Sequence, residues 1–285
     1  MATNTPRRTV GSVSNTAGIP SNKDYIDFIG KAVDLWDRLP EPFKGVRKKD
    51  SPLFLYVYPL VGCAINSAKA ALVLFDRQMN AQSAPLVRLA FESALTAQRV
   101  ASTGDYEEFR SHLARKSQTS LHHTKEAGYT IPEDIIRRIE SMEVELSPVL
   151  STMIKLCKTI NKEQGEWLYY MYSRLCEHCH PSIGMVSSYT RVTGGGTMER
   201  QFQGLSKNPE TDPREFIRVL AMAVALALSP LTDIFIGKPY RKTIENLTCH
   251  LTLPIWVTED GKPPPKYPIR NPQPPKDYQD RGAQL

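Results

Sequence analysis

The stretch Pro213–Phe235, PREFIRVLAMAVALALSPLTDIF, decides the fold. From Val219 to Leu228 every residue is apolar, a run of ten that is about half the length a membrane-spanning helix needs. A segment that is hydrophobic on every side belongs at the centre of a protein. Such a helix requires neighbours that each turn one apolar face towards it, and the rest of the chain supplies them. Tyr25, Ile29, Ala32 and Trp36 recur at helical spacing after a capping Asn22. Leu53–Met79 reads as a long apolar helix kinked at Pro59 and Gly62. Asn66, Ser67 and Lys69 interrupt that run, so it too reads as a core helix and no membrane span is expected. Ser83 and Pro85 open a helix to about Ser102, with Leu86, Ala90, Ala94, Ala97 and Ala101 facing inward. Small residues at those positions allow a neighbouring helix to come close.

Asp105 to about Lys125 continues the helical pattern with Tyr106, Phe109 and Leu113 as its apolar edge. Glu133–Ile160 carries the stripe Ile135, Ile139, Met142, Leu146, Val149, Met153 and Ile160. Pro148 makes this a kinked helix or two helices. Trp167–Cys179 is helical and stops before Pro181. Residues 184–212, with Gly194, Gly195 and Gly196 together, read as loop, and only Leu251–Thr258 alternates weakly in the manner of a strand. The expected architecture is an all-α antiparallel helical bundle spanning 23–255.

The two ends read differently. Residues 1–22 are rich in Ser, Thr, Asn and Pro and are expected to be a disordered arm. Residues 256–285 form a tail with seven prolines between Gly261 and Pro275, which excludes helix and favours extended polyproline. The chain has 285 residues and a net charge of +6, with 41% hydrophobic residues. That apolar share excludes a wholly disordered protein. Arg7, Arg8 and Lys23 supply half of the excess charge, and the helical body is nearly balanced, so no basic stripe marks a nucleic-acid groove. Five cysteines and the lack of an apolar leader point to a reducing cytoplasm.

No P-loop, dinucleotide fingerprint, HExxH or GxSxG is present, and no cofactor is expected. The densest polar constellation is Tyr169–Ser182, YYMYSRLCEHCHPS. Two chemistries compete for it. Cys176, Cys179 and His180 share a helix face and could offer three zinc ligands, with Cys157, Cys249 or His250 as a distant fourth. Alternatively, Arg174 and a histidine at the helix end supply what metal-free RNA cleavage needs. Histidine moves protons near neutrality, and a guanidinium is a permanent cation matched to phosphate oxygens. The bland alternatives are a solvated pair of Arg174 with Glu177 or Glu166, an Arg88–Glu92 pair of the same kind, and a His180 that merely caps terminal carbonyls. His112, His122 and His123 read as surface residues, and Cys63 as a small buried hydrophobe.

The spacing Arg174-x5-His180 near the end of a late helix resembles the Arg-x4-6-His motif of HEPN-type proteins. "APLVRLAFESAL" with "YSRLCEHCHPS" resembles more closely a bacterial HEPN-like family of unknown function. That family pairs an Arg-x3-Glu helix, here Arg88 and Glu92, with a later Tyr, Leu and His-Pro-Ser element, here Tyr172, Leu175, His180, Pro181 and Ser182. The resemblance implies a four-helix core that dimerises and sets Arg–His pairs in a composite cleft. It also implies metal-independent ribonuclease activity, often in toxin–antitoxin or antiphage systems with an operon partner, although some members only bind partners. In this chain it puts His180 in the catalytic position and Arg174 on the phosphate. His178 would then be an alternate base, with Arg88, Glu92, Tyr172 and Glu177 in support. His178 and Leu175 depart from the family pattern, and His178 shares the face of Arg174 better than His180 does.

Overall fold

A computed structural model describes residues 20–39, 45–46, 50–104, 106–142, 153–160, 165–182, 190–192, 198–200, 213–235, 240–251 and 253–254. Its framework is an all-α helical bundle. Helix α1 (Asn22–Asp37) is capped by Ser21 and not by Asn22: Ser21 and Asp24 exchange side-chain and backbone hydrogen bonds in a capping box. Its stripe Tyr25, Phe28, Ile29, Ala32 and Leu35 is buried. Helix α2 (Ser51–Asp76) contains Pro59 in its interior, and the carbonyl that Pro59 leaves without a helical donor belongs to Leu55, which is exposed to water. Arg77, Gln78 and Met79 turn the chain back, with Gln78 in the left-handed region at φ 57°.

Helix α3 (Asn80–Thr103) begins before Ser83 and takes Pro85 into its body, so neither residue is its start. It ends at Gly104, where φ of 67° lets the amide reach the Val100 carbonyl. Ala90, Ala94, Ala97 and Ala101 are buried, and α3 packs closely on α2. Helix α4 (Tyr106–Glu126) lies across α2 and α3, held to α3 by the Arg99–Glu108 pair at 3.3 Å. Phe109 is buried, but Leu113, read as part of the apolar edge, is exposed. The stripe from Glu133 resolves into two helices, α5 (Glu133–Glu140) and α6 (Met153–Ile160); Leu146, Pro148 and Val149 lie outside the described residues. Helix α7 (Gly165–Cys179) packs on α3 and α6.

Part of the segment read as loop is a hairpin: β1 (Thr190–Val192) pairs antiparallel with β2 (Met198–Arg200), Arg191 opposite Glu199. Gly194, Gly195 and Gly196 lie outside the described residues, as do residues 1–19 of the expected arm and the whole expected tail, 256–285.

Helix α8 (Pro213–Ile234) is the central element and contacts α1, α2 and α3. Two helices are long and apolar enough to cross a membrane; the apolar window of α8 is 94% buried within the fold and that of α2 is 39% buried. Pro230 has no N–H, so the Leu226 carbonyl one turn earlier loses its helical donor. Gln98 of α3 fills that gap, donating Nε2 to the Leu226 oxygen at 2.7 Å in the fully buried interior. The end of α8 meets the segment before α2 through a bridge between Val46 and Phe235. A Cβ on Gly45 would lie 2.8 Å from the Phe235 ring, so only glycine fits there.

A ninth described helix, α9 (Arg241–His250), packs on α8 through Arg241, which bonds Asp233 at 2.9 Å. The alternation read as a strand from Leu251 is a turn and irregular chain at 251, 253 and 254; its remaining residues lie outside the described ones.

Candidate functional site

Helices α3 and α7 bring four of the singled-out residues together. Arg88 and Glu92 stand one turn apart on α3 and bond through Nε and Oε1 at 2.8 Å. Tyr172 and Cys176 follow each other on the α7 face that meets α3, and the same progression leads to His180, one residue past the helix end. Arg88 Nη1 lies 2.8 Å from His180 Nε2, and Arg88 Nη2 donates to the Tyr172 hydroxyl at 3.0 Å. The guanidinium also sits over the Tyr172 ring, 5.1 Å from its centroid.

A guanidinium can only donate, so the contact at Nε2 requires that nitrogen to accept. In this arrangement His180 is therefore the neutral tautomer with its proton on Nδ1. Three of the five N–H donors of Arg88 are occupied by Glu92, His180 and Tyr172. Arg88 also bonds the side chain of Cys179. The Arg88 side chain is 23% exposed, enough for an incoming anion to reach it. Burial works against its charge, but the Glu92 carboxylate outweighs that and holds the guanidinium above its ordinary value. Burial, followed by neighbouring Cys176 and Glu92, pushes the Tyr172 phenol up. Burial likewise pushes the Cys179 thiol up, against the pull of Arg88.

The end of α7 is fixed locally. The His180 amide donates to the Cys176 carbonyl at 3.2 Å, and the Ser182 hydroxyl donates to the Glu177 carbonyl. Pro181 between them cannot extend the helix.

The structure does not pair Arg174 with His180. Arg174 lies on another face of α7, where Nη1 bonds Glu177 at 2.6 Å, and its side chain is 22% exposed. Six residues at helical pitch turn about 600°, which sets positions 174 and 180 on different sides of the axis. His178 is 6% exposed and stands edge-on to Phe216 of α8, ring centroids 5.1 Å apart. Its Nδ1 is buried with no hydrogen-bond partner among the described residues. Burial, then the Arg174 charge, lowers its affinity for a proton. His178 therefore faces the core and is not positioned as a second base beside His180.

Zinc fares no better on geometry. Among the described residues no three His, Cys, Asp or Glu side chains converge as a metal site. Cys157 is buried with its thiol pushed up to about 12 by burial, and His180 Nε2 is engaged by Arg88.

Beside the Arg88 cluster opens a cleft of about 660 Å³ over the outward face of α3, walled by α4, α6 and α7. Glu92, Ser93 and Thr96 form its floor, Met153, Tyr169 and Tyr172 one side, and His112 and Lys116 the far end. His112, read from the sequence as surface, is half-buried here, and burial with the Lys116 and Arg115 charges lowers its proton affinity. Its spacing from Glu108 and Lys116 on a polar helix gave no sign of a cleft, which arises only when α6 and α7 close over α3.

Residues 54–197, half of the chain, match the family of unknown function DUF5677. The chain belongs to this family. The DUF5677 region runs from α2 to the residue before β2 and contains Arg88, Glu92, Tyr172, Arg174, His178 and His180, leaving the central α8 outside it. No curated protein and no solved structure matches the chain.

Proposed function

We propose that this DUF5677 protein is a metal-independent endoribonuclease of HEPN type in which Arg88 and His180 are the reacting pair. The observation that carries the reading is the 2.8 Å contact between Arg88 Nη1 and His180 Nε2, from two helices at the mouth of a cleft. An unprotonated Nε2 is a base ready to take a proton, and the partly exposed Arg88 guanidinium is a permanent cation suited to phosphate oxygens. The scissile phosphate draws the guanidinium away from the imidazole, freeing Nε2. The 2′-oxygen of RNA then attacks phosphorus while its proton passes to Nε2. The P–O5′ bond breaks, and the 5′-oxygen leaves with the proton that His180 has just taken up, giving a 2′,3′-cyclic phosphate and a 5′-hydroxyl and returning His180 to its starting form. Arg88 stabilises the charge that builds on the phosphorane oxygens, with Glu92 and Tyr172 fixing the guanidinium plane. On this reading the protein is a homodimer acting in the cytoplasm as a toxin or antiphage effector under an operon partner.

The test is cleavage of RNA by the purified protein in excess EDTA, beside His180→Ala and Arg88→Ala. Chelator-resistant cleavage that both variants lose, with cyclic phosphate ends, supports the reading; folded, dimeric protein that cuts no RNA overturns it.

One observation favours a second reading, a catalytically silent interaction or sensor module. Arg174, the motif arginine of the HEPN spacing, is bonded to Glu177 and turned from His180. The same assay separates the two, because a silent module leaves RNA intact under every condition.

A further inference from the structure

The cleft beside Arg88 has a volume within the range of small-ligand sites, and the chemistry proposed above uses only its mouth. Its floor and its side differ in character. Met153, Tyr169 and Tyr172 give a largely apolar wall, with the two tyrosine rings 6.1 Å apart and inclined at 33°. The floor is a row of oxygens on α3. Glu92 gives Oε1 to Arg88, and its second oxygen has no partner among the described residues. Thr96 donates its hydroxyl hydrogen to the Glu92 carbonyl, so its lone pairs remain open to a donor. Ser93 is only 6% exposed, lines the cleft, and has no hydrogen-bond partner among the described residues. Its hydroxyl opens on the cleft and can donate to or accept from a ligand atom there.

A flat ring with polar edges fits this combination: its faces lie on the aromatic wall while its edge meets the oxygens. The cations of Arg88 at one end and Lys116 at the other suit phosphates on either side of it. We propose that this cleft is a nucleobase subsite that seats the base next to the scissile phosphate, and that it selects bases bearing an exocyclic amino group. The preference follows from Glu92, a carboxylate that accepts from an amino group and finds no equivalent donor on uracil O4. The inference rests on the ribonuclease reading for the phosphate at Arg88, but base binding is measurable without cleavage.

The experiment titrates the full-length protein with AMP, CMP, GMP and UMP by calorimetry, and compares wild type with Thr96→Phe, which fills the cleft, and Ser93→Ala, which removes only the hydroxyl. AMP, CMP and GMP are expected to bind, UMP about tenfold more weakly, and Thr96→Phe to weaken all of them about tenfold or more. Ser93→Ala keeps the cleft open and loses a few-fold, so a folding failure of Thr96→Phe leaves the test intact. Nucleotide binding that both variants leave unchanged, or that inorganic phosphate alone reproduces, overturns the subsite; equal affinity for UMP and CMP overturns the amino preference. Nucleotides that bind in this pattern to a protein that never cuts RNA uphold the subsite and sink the nuclease. RNA cutting that requires His180 but keeps its base preference in Thr96→Phe does the reverse.

Discussion

Gln98 on α3 donates its side-chain amide to the Leu226 carbonyl that Pro230 strips of its helical partner in α8. A polar side chain in the middle of the core is here the repair of a helix defect in another element. Gln98→Leu therefore leaves a buried carbonyl unsatisfied and costs about 1–3 kcal/mol in urea unfolding. Pro230→Ala restores an N–H to α8, so the Gln98→Leu penalty shrinks in that background. Strictly additive effects of the two substitutions would show that the bond is incidental.

The buried His178 makes the fold acid-sensitive. Its proton affinity is lowered in the folded chain by burial and by Arg174, whereas the unfolded chain takes up the proton near the ordinary value of 6.5. As pH drops below about 6.5 the unfolded state binds more protons, so stability falls with acidification and is regained above that pH. His112, shifted in the same direction, adds to the slope. His178→Leu should flatten the dependence of the denaturation midpoint between about pH 7 and 5, and a slope matching the wild type would assign the effect elsewhere.

Arg88 and Arg174 separate by their partners. Arg88→Lys keeps a positive charge but cannot serve Glu92, His180, Tyr172 and a phosphate together, so cleavage should fall about 100-fold or more with the helical circular dichroism unchanged. Arg174→Ala removes a partly exposed pair with Glu177 and should leave cleavage within about threefold while costing about 0.5 kcal/mol of stability. A dead Arg174→Ala enzyme beside an active Arg88→Lys one would reverse the assignment.

Two glycines predict opposite signs. Gly30 lies inside α1 with no atom within 4 Å of an added Cβ, so Gly30→Ala should stabilise by about 0.5–1 kcal/mol in thermal melts. Gly104 has equal space but φ of 67°, so Gly104→Ala should destabilise by about 1 kcal/mol through backbone strain alone. Matching signs would mean that cavity space, and not backbone conformation, governs both.

The helices were legible wherever one stripe met one core. Pro213–Phe235 declared itself by being apolar on all sides, and Tyr25, Ile29 and Ala32 by their period. The start of α3 was not, because Pro85 looks like a first-turn residue until tertiary packing carries the helix past it. Helix α9 was missed although Ile244, Leu247 and Leu251 keep helical spacing, since polar Arg241, Lys242 and Glu245 dilute the signal. At the site, the sequence singled out Arg88, Glu92, Tyr172 and His180 as one family pattern. It could not tell which arginine meets His180, because spacing along α7 favours Arg174 and only the crossing of α3 over α7 brings Arg88 into reach. The cleft was invisible for the same reason: its lining comes from five helices.

His180 lies one residue beyond α7, held at that distance from Tyr172 by the last two turns and by the Ser182 clasp on Glu177. Each helical residue advances about 1.5 Å and rotates about 100°. Inserting or unwinding a single residue between Tyr172 and His180 swings the imidazole a quarter-turn or more away from α3, with Arg88 left untouched. The end of α7 is thus a caliper whose jaws close only at one helix length. Whatever frays that final turn disarms the pair without altering either member of it.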